Sequence, residues 1–283
     1  MGGETGEKIS DDYPIDKHLT VYVVTNYAKF NIDSTKTKIE LTSDGKGYTG
    51  VAPKGKIIIP DGITEIEGTD YWTRGAFYGC AEITSVQLPQ SLTTIGSRAF
   101  EDCTGLTSIR LPARLTEIGS QAFRGCTGLT SIHLPANLTE IGSRAFWGCT
   151  GLKSLDLSAC ASLTTIDGNA FYGCTSLTSI SLPASLTTIG DWAFAGCTGL
   201  TSIGLPAKLT GIGWHAFWGC TGLTSAVFAD KEGWKVYDND SYSGTPTSIS
   251  SSDLADPATA AKYLRERSSY VGGGYCEKYW KKN

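Results

Sequence analysis

The side chains best equipped for chemistry are nine cysteines, three histidines and seven tryptophans. Seven of the cysteines (Cys80, Cys103, Cys126, Cys149, Cys174, Cys197 and Cys220) follow one another at steps of 23, 23, 23, 25, 23 and 23 residues. A cysteine series can ligate zinc or pair into disulfides, and each use demands its own geometry. Zinc sites draw two ligands from one loop through a C-x-x-C pair, which is absent here. A disulfide needs converging Cβ atoms, whereas equivalent positions in stacked repeats lie roughly 5 Å apart and point the same way. The seven are therefore expected to be buried free thiols acting as small hydrophobes. Cys160 and Cys276 fall outside the series, and their pairing stays open. His18, His133 and His215 sit in unrelated contexts. There is no G-x-S-x-G elbow and no glycine-rich phosphate loop, and the glycines at Gly272–Gly274 lack a flanking strand and helix. The expectation is a protein without catalytic residues, metal or cofactor.

What spaces these cysteines is a recurring phrase, seen most clearly as LTSIRLPARLTEIGSQAFRGCTG from Leu106. Each copy carries a phenylalanine three residues before its cysteine, at Phe77, Phe100, Phe123, Phe146, Phe171, Phe194 and Phe217. Self-similarity at a fixed period of this size marks a repeat solenoid, because one unit cannot bury its apolar face alone. Within a repeat, LTSIRL reads as a short strand with Leu106, Ile109 and Leu111 inward and Ser108 and Arg110 outward. The proline that follows has no amide to donate and ends the ladder. LTEI supplies a second extended piece. GSQAFRGC then suits a single helical turn, with Ser97, Ser120, Ser143 or Asp191 available as N-cap.

Residues 1–18 read as a loose leader. Residues 19–56, with the strand-like LTVYVV and a turn at Asp44-Gly45, read as an N-terminal β cap. The array of about seven repeats spans 57–228, its first phrase being IIIPDGITEI. The 25-residue repeat containing LDLSACASLTTID is expected to bulge locally. Residues 229–283 form a C-terminal cap with a helix near 257–267, where Asp256 stands at N-cap and Pro257 at N1.

A net charge of −4 with few charges along the array gives no overall pull toward nucleic acid or anionic membrane. No stretch approaches the roughly 18 apolar residues of a spanning helix, so no membrane insertion by this segment is expected. The polar start lacks the n- and h-regions of a secretory signal.

Two columns vary freely enough between repeats to carry specificity. One is the outward strand position: Gln87, Arg110, His133, Asp156, Ser181, Gly204 and Val227. The other follows each phenylalanine: Tyr78, Glu101, Arg124, Trp147, Tyr172, Ala195 and Trp218, with Trp192 and Trp214 nearby. Positions free of packing duty are where specificity can be written, and large aromatics serve as hot spots for proteins and as platforms for sugars. The candidate ligand-binding residues are therefore Gln87, Arg110, His133, Asp156, Tyr78, Trp147, Tyr172, Trp192, Trp214 and Trp218. The bland readings are solvated variation for the strand column and mutual packing for the aromatics. Thr-Ser pairs such as Thr107-Ser108 and Thr130-Ser131 also form hydroxyl ladders, a pattern that can order water against ice, although β-propensity alone selects threonine there.

The consensus LxxIxLPxxLTxIGxxAFxGCxxL, matched from about Ile57 to Phe228, resembles the BspA-type branch of the leucine-rich repeats, known from bacterial surface proteins. The resemblance implies a curved solenoid with a parallel sheet of short strands. It also implies export, with the signal absent from this stretch, and adhesion to host proteins or neighbouring cells. It implies no catalytic residues. The expected function is a non-enzymatic, secreted or cell-surface module that binds a protein partner. A carbohydrate-binding module using exposed aromatics and a structural spacer are the alternatives.

Overall fold

The computed structural model describes residues 52–68, 75–238, 241–267 and 274–282, together with the backbone of three two-residue strands at Lys29–Phe30, Lys38–Ile39 and Tyr48–Thr49. The expected leader, the LTVYVV strand, the Asp44-Gly45 turn, His18, Gly272 and Gly273 lie outside the described residues.

Each repeat is one turn of a parallel β-solenoid with two strand columns and a third column of tight turns. The first column runs through Gly55–Ile58, Ile83–Gln87, Ser108–Arg110, Ser131–His133, Ser154–Asp156, Ser179–Ser181, Ser202–Leu205 and Ser225–Phe228, paired parallel in three runs. Alternation works as the pattern dictates: Leu106, Ile109 and Leu111 are buried while Ser108 and Arg110 are exposed. The second column is built from two-residue strands, Lys38–Ile39, Glu65–Ile66, Thr94–Ile95, Glu117–Ile118 and Glu140–Ile141, then Thr165–Ile166, Thr188–Ile189 and Gly211–Ile212. Every isoleucine of that column from Ile66 onward is buried.

The third column corrects the expectation of a helical turn. The amides of Ala99, Glu101 and Cys103 close successive turns onto the carbonyls of Gly96, Arg98 and Phe100 at 3.3, 3.1 and 3.2 Å. Those of Arg98, Phe100 and Asp102 instead donate to Ser120, Ala122 and Arg124 of the next repeat at 2.9, 2.8 and 2.7 Å. A helix keeps its amides within its own segment. Here left-handed residues, with φ of +58° at both Arg98 and Asp102, turn alternate amides outward to form a third inter-repeat ladder. The expected N-caps have a different job: Ser120 and Ser143 donate their hydroxyls to Ser143 O and Gly168 O of the following repeat, both at 3.0 Å. Asp191 accepts the amide of Trp214 at 2.8 Å.

The core is a continuous column of aromatic rings. Phe77 to Phe217 stack with centroids 5.1–5.5 Å apart and planes within 12° of parallel. Beside them the cysteines are free and buried. Cys126, Cys149 and Cys197 each donate a thiol hydrogen bond of 3.1 Å to the carbonyl of the phenylalanine one repeat back, at Phe100, Phe123 and Phe171. Cys160 and Cys276 are also free and buried, which answers the question of their pairing. Backbones meet closely at the corners: a Cβ on Gly128 would lie 2.4 Å from Thr104 O, so only glycine fits.

The two extra residues of the long repeat fall between Leu157 and Leu163, where the amide of Cys160 closes a turn on Leu157 O at 2.9 Å. Second-column pairing is interrupted there, yet the Phe146 amide still reaches Ala170 O at 2.8 Å and the phenylalanine stack continues at 5.3 Å. After the last repeat, antiparallel strands Tyr279–Lys282, Trp234–Tyr237 and Thr247–Ser248 extend the second sheet, and Phe228, Trp234 and Trp280 cluster beneath them. Two helices, α1 (Ser251–Ala255) and α2 (Pro257–Arg265), pack on the final first-column strand, with Asp256 capping α2 through Thr259 N at 3.1 Å. No described helix is long and apolar enough to cross a membrane.

Candidate functional site

On the first sheet, strand register places Ile58, Gln87, Arg110 and His133 side by side, then Asp156 beside Ser181 and Gly204 beside Val227. All are exposed, Val227 at 50%. The next outward column is uniform, with Ser85, Ser108 and Ser131 in one run and Ser154 and Ser179 in another. The Asp156 carboxyl is held below the usual range by hydrogen bonds from Ser158, with His133 adding a smaller pull. The threonine hydroxyls beside this face are already committed. Thr107, Thr130, Thr178 and Thr201 donate to carbonyls one repeat back at 3.0–3.3 Å, so these hydroxyls serve the inter-repeat ladder. A shallow depression lies among Gln87, Gln90, Arg110 and Pro112.

The aromatic candidates occupy the turn column. Each tight turn sets its first and fourth residues side by side, as Glu101 N–H on Arg98 O at 3.1 Å illustrates. The position after phenylalanine therefore forms a double ribbon with the left-handed position: Arg98 with Glu101, Gln121 with Arg124, Arg144 with Trp147, Asn169 with Tyr172, Trp192 with Ala195, and His215 with Trp218. This ribbon has three parts. In the first, Glu101 is 1% exposed and is bridged by Arg98 at 3.5 Å and by Arg124, while Arg98 also reaches Gln121 at 3.5 Å. In the last, the small Ala195 is covered as aromatic rings collapse together. Trp192 meets Trp214 at 5.1 Å and Trp218 at 5.6 Å, and His215 lies 4.3 Å from Trp192 and 3.8 Å from Trp214. His215 is 4% exposed, and burial keeps it neutral below the usual histidine range, with Arg267 contributing and Glu277 opposing. Trp192, Trp214 and Trp218 are therefore half-buried and mutually tilted rather than laid out as a flat platform.

Between these lies a part of different character. Trp147 and Tyr172 are half-buried at a centroid distance of 5.1 Å and a tilt of 54°. The guanidinium carbons of Arg144 and Arg124 lie 5.1 and 5.6 Å from the Trp147 ring. Tyr78 stands at the other end of the ribbon, half-buried beside Gly75. Sequence reasoning named the aromatic column and missed its partner. The signal was available, since Arg144 and Asn169 precede Trp147 and Tyr172 by three residues, but only the turn conformation makes those pairs adjacent. A second aromatic group was also missed: Tyr242 packs against Tyr237 and Tyr279 at 5.4 and 6.4 Å, with Lys281 Nζ 4.3 Å from its ring. Among the described residues no group of three or more histidines, cysteines or carboxylates is placed to hold a metal.

The profile described as BspA type Leucine rich repeat region matches six copies over residues 53–174 and 160–257. Among solved structures, the leucine-rich-repeat protein of T. pallidum is 35% identical with a TM-score of 0.57, over 65% of this chain and 86% of that one. A leucine rich cell surface protein of Faecalibacterium prausnitzii is 29% identical with a TM-score of 0.56, over 82% of this chain and 58% of that one. A leucine-rich-repeat protein of Eubacterium ventriosum is 27% identical with a TM-score of 0.56, over 72% of this chain and 50% of that one. The chain thus spans only about half the length of the latter two. No curated protein matches it.

Proposed function

This chain belongs to the BspA-type leucine-rich-repeat family, and from that premise we propose that it is a non-enzymatic recognition module of the bacterial cell surface, binding a protein partner through its first sheet. The observation that carries the reading is the register of the outward column. Gln87, Arg110 and His133 are exposed, lie on neighbouring parallel strands and differ in chemistry at each step, while the residues around them repeat. Neighbouring strands are about 4.8 Å apart, so this column offers an evenly spaced line of distinct contacts. Such a line suits an extended protein surface better than a small molecule, which favours a concave site. The surface location is supported by the similarity to the F. prausnitzii protein, itself described as a cell surface protein.

The test is a binding screen of the immobilised chain against extracellular-matrix proteins and intact cells by surface plasmon resonance and bead adhesion. Saturable binding should fall at least about tenfold when Gln87, Arg110, His133 and Asp156 are all changed to serine, the residue already present at position 181. Binding that survives this change untouched, or turnover of a substrate abolished by one substitution, would overturn the proposal.

A further inference from the structure

The middle of the turn-column ribbon differs from the preceding part in one respect: its arginine has no carboxylate partner among the described residues. In the preceding repeats Arg98 and Arg124 both ion-pair with Glu101, whose Oε2 makes no hydrogen bond, and Arg98 reaches Gln121; in the following ones the tryptophans pack around His215, whose Nδ1 is buried without a hydrogen-bond partner among the described residues. Among the described residues the Arg144 guanidinium makes no hydrogen bond or ion pair, and its Nε–H is buried without an acceptor. The Asn169 amide and the Tyr172 hydroxyl likewise have no protein partner among the described residues. Arg144 is instead held against the Trp147 ring at 5.1 Å, and Trp147 against Tyr172 at 5.1 Å. A cation partly withdrawn from water with no counter-ion among the described residues carries a desolvation cost that the ring contact offsets only in part.

We propose that Arg144, Trp147, Asn169 and Tyr172 form a binding site for a carboxylate-bearing saccharide, a uronate or sialate residue at a chain end or within a glycan. A guanidinium matches a carboxylate in two parallel hydrogen bonds. Vicinal sugar hydroxyls both donate and accept, which suits an amide and a phenol that each do the same. The C–H faces of a pyranose suit the two aromatic rings, whose tilt grips a ring edge rather than a flat stack. The site shares no residue and no strand with the Gln87–Arg110–His133 column, so substitutions separate the two.

The experiment is isothermal titration of the full chain with 3′-sialyllactose, a hyaluronan tetrasaccharide, neutral lactose and a hexaglutamate peptide. At least one acidic saccharide should bind about tenfold or more tighter than lactose and than the peptide. Arg144→Gln should weaken that binding about tenfold, Arg144→Lys should fall between, and Asn169→Ala should weaken it less, while Arg110→Gln on the strand face leaves it unchanged. Far-UV circular dichroism and the urea midpoint of each variant establish that the repeats remain folded. Absence of binding by both acidic saccharides, equal binding of the peptide, or indifference to Arg144→Gln would each overturn the proposal.

Discussion

Replacing Phe146 with alanine should be among the most damaging single changes in the chain, and its cost is readable from the stack. The ring is fully buried and lies between Phe123 at 5.4 Å and Phe171 at 5.3 Å. Truncating a buried phenylalanine costs about 3–5 kcal/mol through lost transfer energy and the cavity left behind. Stacked pairs contribute about 0.5–1.5 kcal/mol each beyond burial, so an interior ring with two neighbours should fall toward the upper end of that range. Phe217 is equally buried but stacks only on Phe194 among the described residues, at 5.3 Å. Phe217→Ala should therefore cost less than Phe146→Ala by roughly one pair, about 1 kcal/mol. Phe146→Leu retains most of the apolar volume and loses both ring contacts, which predicts a loss of about 1–3 kcal/mol. Urea unfolding followed by circular dichroism measures all three. The reasoning fails if Phe217→Ala is as costly as Phe146→Ala, or if leucine at 146 is no better than alanine.

Asp102 holds φ of +58° where the other repeats have Gly79, Gly125, Gly148, Gly173, Gly196 and Gly219, so Asp102→Gly should raise stability by up to about 1 kcal/mol and a thermal melt should shift upward. A lower melting temperature would contradict the left-handed strain. Because burial depresses the folded-state pKa of His215, the unfolded chain takes up its proton first; stability is unaffected above the usual histidine range near 6.5 and is lost as pH falls below it. The drop in urea midpoint from pH 7 to pH 5 should be steeper for the parent chain than for His215→Phe, and parallel slopes would refute this. Burial pushes the Cys149 thiol up to about 12 and the Cys276 thiol up to about 11, so all nine cysteines should resist Ellman's reagent in the folded chain and react once urea unfolds it. Rapid reaction of several thiols in the native state, or fewer than nine after unfolding without reductant, would contradict the buried free-thiol reading.

Much of the solenoid was legible in one dimension because each repeat restates it. The apolar spacing of Leu106, Ile109 and Leu111 gives the strand, the following Pro112 its end, and the in-register cysteines their lack of disulfides. The turn column was not legible in the same way. Ala, Phe and Ser in GSQAFRGC favour a helical reading locally, and what defeats it is non-local: an outward amide at Arg98 or Phe100 is stable only because the next repeat offers a carbonyl 2.9 or 2.8 Å away. A left-handed residue costs energy by itself, so propensity argues against it until the neighbouring repeat supplies the compensating bond.

The same division separates the two candidate surfaces. The variable strand column was legible along the chain, since residues one period apart must fall side by side when like strands stack in register. The fate of the aromatics after each phenylalanine depended on packing between repeats. Trp192, Trp214 and Trp218 close on one another across neighbouring repeats, and Arg144 and Asn169 join Trp147 and Tyr172 because a tight turn, not a helix, brings its first and fourth residues together. Periodicity specifies which residues repeat; the path of the backbone between repeats specifies which of them touch.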